Sequence, residues 1–199
     1  MVFVPDYPIE TERLLLRPFT RGDLDEVFAY RSRADVCRYL FDEPMTRETC
    51  AETIQARVGQ LSLEQDGDRI VLAVVVRETV ELVGEVSLIL RSADARQGEI
   101  GYILHPRAQG HGYATEAAGA LLRLGFEGAR MHRIHARCHA PNLPSARVME
   151  RLGMRREAHF RHHALTKGTW DEEFIYAILD DEWRATIASD LRHPAAATS

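Results

Sequence analysis

The chain has 199 residues, enough for one domain with a sizeable core, and its 45% hydrophobic and 28% charged content is that of an ordinary globular protein. No apolar run approaches the roughly 20 residues that span a bilayer, and the N-terminus shows no basic-then-apolar leader, so a cytoplasmic protein without a membrane partner is expected. A net charge of −5 argues against general nucleic-acid binding, and Cys37, Cys50 and Cys138, odd in number and without metal-type spacing, read as reduced buried thiols.

Residues 14–17 form a short apolar strand that stops at Pro18, and Thr20 with Asp23 gives a capping-box start to a helix through Leu24, Val27, Phe28 and Arg31. Thr46 caps a second helix whose apolar face carries Ala51, Ile54, Val58 and Leu61, and the Asp66-Gly67 turn ends that segment. Residues 70–76, I-V-L-A-V-V-V, are continuous and β-branched, the mark of a strand buried on both faces. Residues 82–90 and 99–104 continue the meander as antiparallel strands. A helix follows with Ala114, Ala117, Ala118, Leu121, Leu122 and Phe126 on its apolar side, then an alternating strand at 132–138. Asn142 opens a helix over 144–152 that Gly153 closes, and residues 154–160 and 172–179 pair across the Lys167-Gly168 turn. The Pro/Ala/Thr/Ser tail from 193 is expected to fray. A helix between the strands at 99–104 and 132–138 implies a parallel crossover in an otherwise antiparallel sheet, hence a single mixed α/β (α+β) domain over 1–199 with helices on both faces.

The stretch 99–116 reads E-I-G-Y-I-L-H-P-R-A-Q-G-H-G-Y-A-T-E: a strand that ends at Pro106, a glycine loop, and a helix starting near Tyr113. Gly110 and Gly112 allow a sharp turn and close backbone approach, and the free N–H groups of the helix start make a phosphate cradle. Two familiar nucleotide motifs do not fit: there is no Gly-Lys-Ser/Thr, and the dinucleotide pattern breaks at Thr115, with no acid after Cys138-His139-Ala140. Glycines that merely fit a bend would give the same loop. Eight arginines crowd residues 130–161 against Glu150 and Glu157, a pattern that suits either a polyanionic ligand or solvated faces.

Gln109, Gly110, His111, Gly112, Tyr113 and Ala114 fit Q/R-x-x-G-x-G/A, and this loop resembles the acyl-CoA loop of the GNAT N-acetyltransferase superfamily. The segment from Asn142 through Ser145 to Met154 resembles that superfamily's N-x-x-[SA]…E-[KR]-L-G-[FM] pattern. T-E-R-L-L-L-R-P-F at 11–19 and G-Y-A-T-E-A at 112–117 are similar to its RimJ/RimL-like branch, the ribosomal-protein-alanine acetyltransferases. The resemblance covers residues 10–184 and is most specific over 99–154.

It implies acetyl-CoA held between two central strands that splay apart, with pantetheine along Tyr102, Ile103, Leu104 and His105 and pyrophosphate on the N–H groups from Gln109 to Ala114. Asn142 would bind the pantetheine amide, or act as a helix cap, or both; Arg107 and Arg147 are candidates for the 3′-phosphate. The acceptor would be a primary amine, on a protein N-terminus or a small molecule, and it must attack uncharged. Such amines titrate near 8 (α-amino) or about 10 (lysine), so a base is needed: Glu99 first, Glu85 as its competitor. A backbone N–H near Ile103 or Leu104 would hold the oxyanion. Many members place a tyrosine where this chain has Met149, so Ser145 inherits the task of donating to the departing thiolate. No metal is expected, because His132, His135, His139 and Cys138 have no carboxylate near in sequence. Asp23, Asp25, Glu26, Asp42 and Glu43 would give an acidic rim suited to a cationic acceptor. A homodimer is compatible with this reading, and the competing reading is an acyl-CoA sensor with little catalysis.

Overall fold

The run Arg69–Val76 is buried at every position after Arg69, because helices cover both faces of the sheet at its centre. The computed structural model describes residues 2–40 and 42–192, and eight strands in it join one sheet. They are β1 (Ile9–Glu10), β2 (Leu14–Pro18), β3 (Arg69–Val76), β4 (Glu81–Ser92), β5 (Gln97–Leu104), β6 (Arg133–His139), β7 (Arg155–Thr166) and β8 (Thr169–Leu179). The helices are α1 (Leu24–Arg31), α2 (Ala34–Cys37), α3 (Arg47–Arg57), α4 (Tyr113–Arg123), α5 (Leu143–Arg151) and α6 (Asp180–Arg192). The spatial order is β1-β2-β3-β4-β5-β6-β8-β7, with β5 and β6 parallel and every other neighbouring pair antiparallel. This is the mixed architecture and the crossover the sequence predicts. Among the described residues no helix is long and apolar enough to cross a membrane.

One face of the sheet packs on α4, α5 and α6 through Leu121, Leu122, Met149 and Trp183; the other packs on α1 and α3 through Val27, Tyr30, Cys50 and Ile54. All three cysteines are free and buried. The inner face of α3 is Cys50, Ile54 and Arg57, while Ala51 is exposed. Ile54, Val58 and Leu61 of the expected face do pack inward, so only Ala51 departs from it, and Arg57 adds an inward contact to Glu85. Three elements were not foreseen. β1 and α2 have two and four residues, too few for a periodic signal. α6 follows β8 without a turn, although Asp180, Asp181 and Glu182 in its first turn are a start signal. The expected fraying from 193 lies outside the described residues.

The feature that positions everything else is how little β5 and β6 pair. Their register covers Gln97↔Arg133, Gly98↔Ile134 and Glu99↔His135, and then the strands part. Beyond that point β4 still holds β5 as far as Leu104, and β8 still holds β6 as far as His139. On the β4 side this needs Gly84, where a Cβ would lie 2.3 Å from the Ile103 carbonyl oxygen and 2.5 Å from Leu104 Cδ2. Forcing a methyl against backbone costs about 1–3 kcal/mol, so Gly84→Ala should lower the urea midpoint at unchanged m-value. An unshifted midpoint would show that β4 and β5 can separate freely at this place.

Candidate active site

The glycine loop has the backbone its glycines imply. Gly110 and Gly112 sit at φ of 81° and 79°, in the left-handed region that favours glycine. Gly112 is the N-cap of α4 and has no side chain to cap it, so the first N–H groups of the helix face the loop. A contact 103 residues long in sequence holds the loop in place. Arg13 donates from its backbone N–H and Nε to Glu116 on α4, at 2.8 and 2.7 Å, and from Nη1 to the His111 carbonyl at 2.9 Å. Thr11 Oγ1 donates to the same carboxylate at 2.6 Å. Burial works to raise the Glu116 carboxyl, but these bonds outweigh it and hold the group below the ordinary range. So the two motifs T-E-R and G-Y-A-T-E form one clamp.

A cleft of about 430 Å³ runs from the loop to the splay, past Leu104, Tyr113, Asn142 and Arg147. Arg107 takes no part: it pairs with Glu81 at 2.7 Å. A second cleft of about 630 Å³ opens on the face covered by α1 and α3. The two share Tyr39, Leu40, Tyr102, Ile103, Asn142 and Ser145, so they meet where β5 leaves β6. The backbone there has donors to offer. His105 N–H bonds Val83 O, and alternation along the strand turns the Ile103 N–H the same way, toward β4. Tyr102 and Leu104 therefore direct theirs to the edge that β6 has left. Of the two expected positions for an oxyanion donor, Leu104 turns its N–H to the open edge and Ile103 to β4; Tyr102 also faces the open edge.

Asn142 is a helix cap: its Oδ1 accepts from Ser145 N–H at 3.3 Å. Ser145 Oγ lies 2.9 Å from the Tyr102 hydroxyl, which also donates to the Ser145 carbonyl at 2.9 Å. Burial, opposed by the Ser145 bond, pushes the Tyr102 phenol up, so it stays protonated. Burial likewise raises Cys138 beside them to about 11, which makes it an inert thiol. Met149 is fully buried in the core.

Both candidate bases are ion-paired. Glu85 accepts both arms of Arg57 and, at 2.9 Å, the Tyr30 hydroxyl. Glu99, where β5 and β6 part, receives Arg91 at 2.6 Å, His135 Nε2 at 3.2 Å and Arg137 Nε at 3.3 Å. Burial alone would raise its carboxyl, but the His135 hydrogen bond and the charges of Arg91, His135 and Arg137 pull it down to about 2. His135 and His139 thus do have carboxylate partners, Glu99 and Asp171, the latter at 2.6 Å. Sequence distance hid both. Among the described residues, one set of possible metal ligands converges, His163, Asp171 and Glu173, within 4.8 Å of one another. Its members already serve ion pairs, His163 with Glu173 and Asp171 with His139.

The low Glu99 carboxyl has a stability consequence. A group whose folded value lies below its unfolded one contributes stability in full above the unfolded value, about 4.3, and loses it as pH falls toward the folded value of about 2. The gap in melting temperature between the wild type and Glu99→Gln should therefore be widest near neutrality and close as pH drops from about 5 to 3. A gap that ignores pH would mean that Glu99 is not held as an anion.

Known proteins resemble this chain in sequence and fold. The Acetyltransferase (GNAT) domain family matches residues 13–155. YnaD, an uncharacterized N-acetyltransferase of Bacillus subtilis (strain 168), is 34% identical over 175 residues, which are 88% of this chain and 98% of the relative. The spermidine N(1)-acetyltransferase of Escherichia coli (strain K12) is 26% identical over 170 residues, 85% of this chain and 88% of the relative. A solved GNAT-family acetyltransferase from Bacillus anthracis superposes with a TM-score of 0.79 at 34% identity, over 87% of this chain and 99% of that one. Splayed strands, glycine loop and these likenesses agree, and the chain belongs to the GNAT acetyltransferases, enzymes that move an acetyl group from acetyl-CoA to an amine.

Proposed function

We propose that acetyl-CoA enters by the cleft at the glycine loop, that a primary amine enters by the opposite cleft, and that transfer is direct where the two meet. The observation that carries this is the junction itself: both clefts end on Tyr102, Ile103, Asn142 and Ser145. The residues present fit the ligand, since an unpaired strand edge suits pantetheine and open helix N–H groups suit pyrophosphate. Acetyl-CoA supplies an activated thioester; the rest falls to the protein. Tyr102 and Leu104 N–H are the donors for the thioester oxygen. The Tyr102 phenol and the Ser145 hydroxyl, 2.9 Å apart, form a donor pair for the leaving thiolate. Arg147, which lines the loop cleft, would meet the 3′-phosphate.

Neither carboxylate is the direct base. A group at about 2 is a poor acceptor for an ammonium proton, and Glu85 has both oxygens engaged. In our reading the amine proton passes through water to His135, and Glu99 stabilises the resulting imidazolium. The Thr11–Arg13–Glu116 clamp unites the two motifs of the RimJ/RimL-like resemblance and supports that placement. The polycationic acceptor of the spermidine relative finds less support, for arginines outnumber acids in the second cleft.

Release of CoA thiol with a panel of amines tests the reading. Glu99→Gln and His135→Asn should each lower kcat by about a hundredfold, with little change in KM for acetyl-CoA. If His135→Asn leaves the rate intact while Glu99→Gln abolishes it, Glu99 is the base after all. Tyr102→Phe and Ser145→Ala should each cost about tenfold in kcat, and both together more than either. Arg13→Ala should instead raise KM for acetyl-CoA and spare kcat, because it loosens only the loop.

A further inference from the structure

The second cleft is lined by Arg31, Arg57, Arg69, Arg91 and Arg137, against Asp42, Glu85 and Glu99. The acids are already committed: Glu85 to Arg57 and Glu99 to Arg91 and Arg137. The acidic rim foreseen from the sequence is not there, since Asp23 is turned onto Arg17 and Asp25 onto Arg47. Of those five residues only Asp42 lines the cleft.

Arg31 stands out among the five arginines. Its side chain is 3% exposed, yet Nε and Nη1 have no hydrogen-bond acceptor among the described residues. Nη2 donates to Asp42 at 2.9 Å, but that carboxylate is 61% exposed and screened by water. Nη1 lies 4.0 Å from Glu85 Oε1, too far to be a hydrogen bond. A buried guanidinium with two of its three nitrogens unmet is expensive to keep. Its position is informative as well. Glu85 is the cross-strand partner of Ile103, so Arg31 lies beside the β5 segment where the acceptor amine must arrive.

Resting on the acetyl-transfer reading, we propose that the acceptor is an amine that also carries an anionic group, a carboxylate or a phosphate, whose oxygens meet the unmet donors of Arg31. Guanidinium is the side chain best matched to either anion, and the surplus of positive charge around it repels an acceptor with several ammonium groups. Anchoring the anion at Arg31 leaves the amine of the same molecule free to approach the splay.

The test compares matched acceptors in the thiol-release assay: an L-amino acid, its primary amide, phosphoethanolamine and spermidine. The acid or the phosphate compound should exceed both the amide and spermidine in kcat/KM by about ten- to hundredfold, and which of the two leads identifies the anion. Arg31→Gln should raise KM for the anionic amine and erase the acid-over-amide preference, with KM for acetyl-CoA unchanged. Arg31→Lys, which keeps the charge but not the planar fork, should restore part of it. Preference for the amide or spermidine, or an acid-to-amide ratio unmoved by Arg31→Gln, overturns the proposal. Should Arg31→Gln not fold, the wild-type ratio alone decides. Thermal stabilisation in the presence of CoA separates this proposal from its premise. Stabilisation by an anionic amine but not by the amide, without thiol release, upholds the anion site and overturns transfer to that amine. Release confined to uncharged or cationic amines does the reverse.

Discussion

Backbone pairing between β5 and β6 stops after three residue pairs, and the ligand binding and the chemistry proposed for the molecule both rest on that interruption. A strand edge in the middle of a sheet is normally satisfied by its neighbour, because an unpaired buried N–H or C=O costs as much as a lost hydrogen bond. Here β4 and β8 hold the outer edges of the diverging strands while the inner edges turn to solvent or ligand. Glu99, His135 and Arg137 fill the point of divergence with charge. Their mutual bonds pin the two strands at the fork, and just beyond it the Tyr102 and Leu104 N–H groups are available to a ligand. The open edge is thus an unsatisfied part of the fold that a bound extended chain completes.

Charge near the fork is fixed rather than mobile. Glu85 sits under Arg57 and Tyr30, and Glu99 under Arg91, His135 and Arg137, which hold the Glu99 carboxyl down at about 2. Fixed anions are good at stabilising a cation formed beside them and poor at taking a proton themselves. On that ground the proposed proton transfer is assigned to His135, which contacts Glu99, and not to either acid. The same pairing consumes the acids of the acceptor cleft and leaves Arg31 as the charge without a full set of partners.

What was legible in the sequence is what local spacing encodes. The β-branched run at 70–76, the capping Thr46, the αL glycines 110, 112 and 153, and the crossover between 104 and 133 all act within a few residues of themselves, and each stands in the structure where it was read. The cofactor cleft was legible for the same reason, since loop and helix start are contiguous. Illegible were the contacts between distant segments: Arg13 with Glu116, Arg57 with Glu85, His135 with Glu99 and His139 with Asp171. No periodicity records which charged side chain will meet which across the sheet. The inward Arg57 of α3 has the same root, because a charged residue drawn in by a partner 28 residues away leaves no mark in the apolar pattern of the helix.

Met149 shows how such a contact alters a chemical conclusion. Read along the chain, a methionine at that position removes the hydroxyl that would protonate the thiolate and leaves Ser145 alone, a weak acid. In the fold, Met149 is core, and the phenol arrives from another element: Tyr102 on β5 places its hydroxyl 2.9 Å from Ser145 Oγ on α5. With the phenol proton directed to the Ser145 carbonyl, the Ser145 hydroxyl is the donor of the pair, and the phenol oxygen holds it in place by accepting from it until a ligand offers a better acceptor. The proposed donor is therefore a pair of residues 43 apart, and each of them alone looks inadequate in the sequence. Since Tyr102 also presents its backbone N–H to the open edge, the proposed mechanism gives one residue of β5 both the thioester oxygen and, through Ser145, the sulfur. Moving β5 by even one residue of register would reverse its faces and separate those two roles. The close approach of β4 that Gly84 permits thus fixes the register on which the proposed chemistry depends as well as the packing.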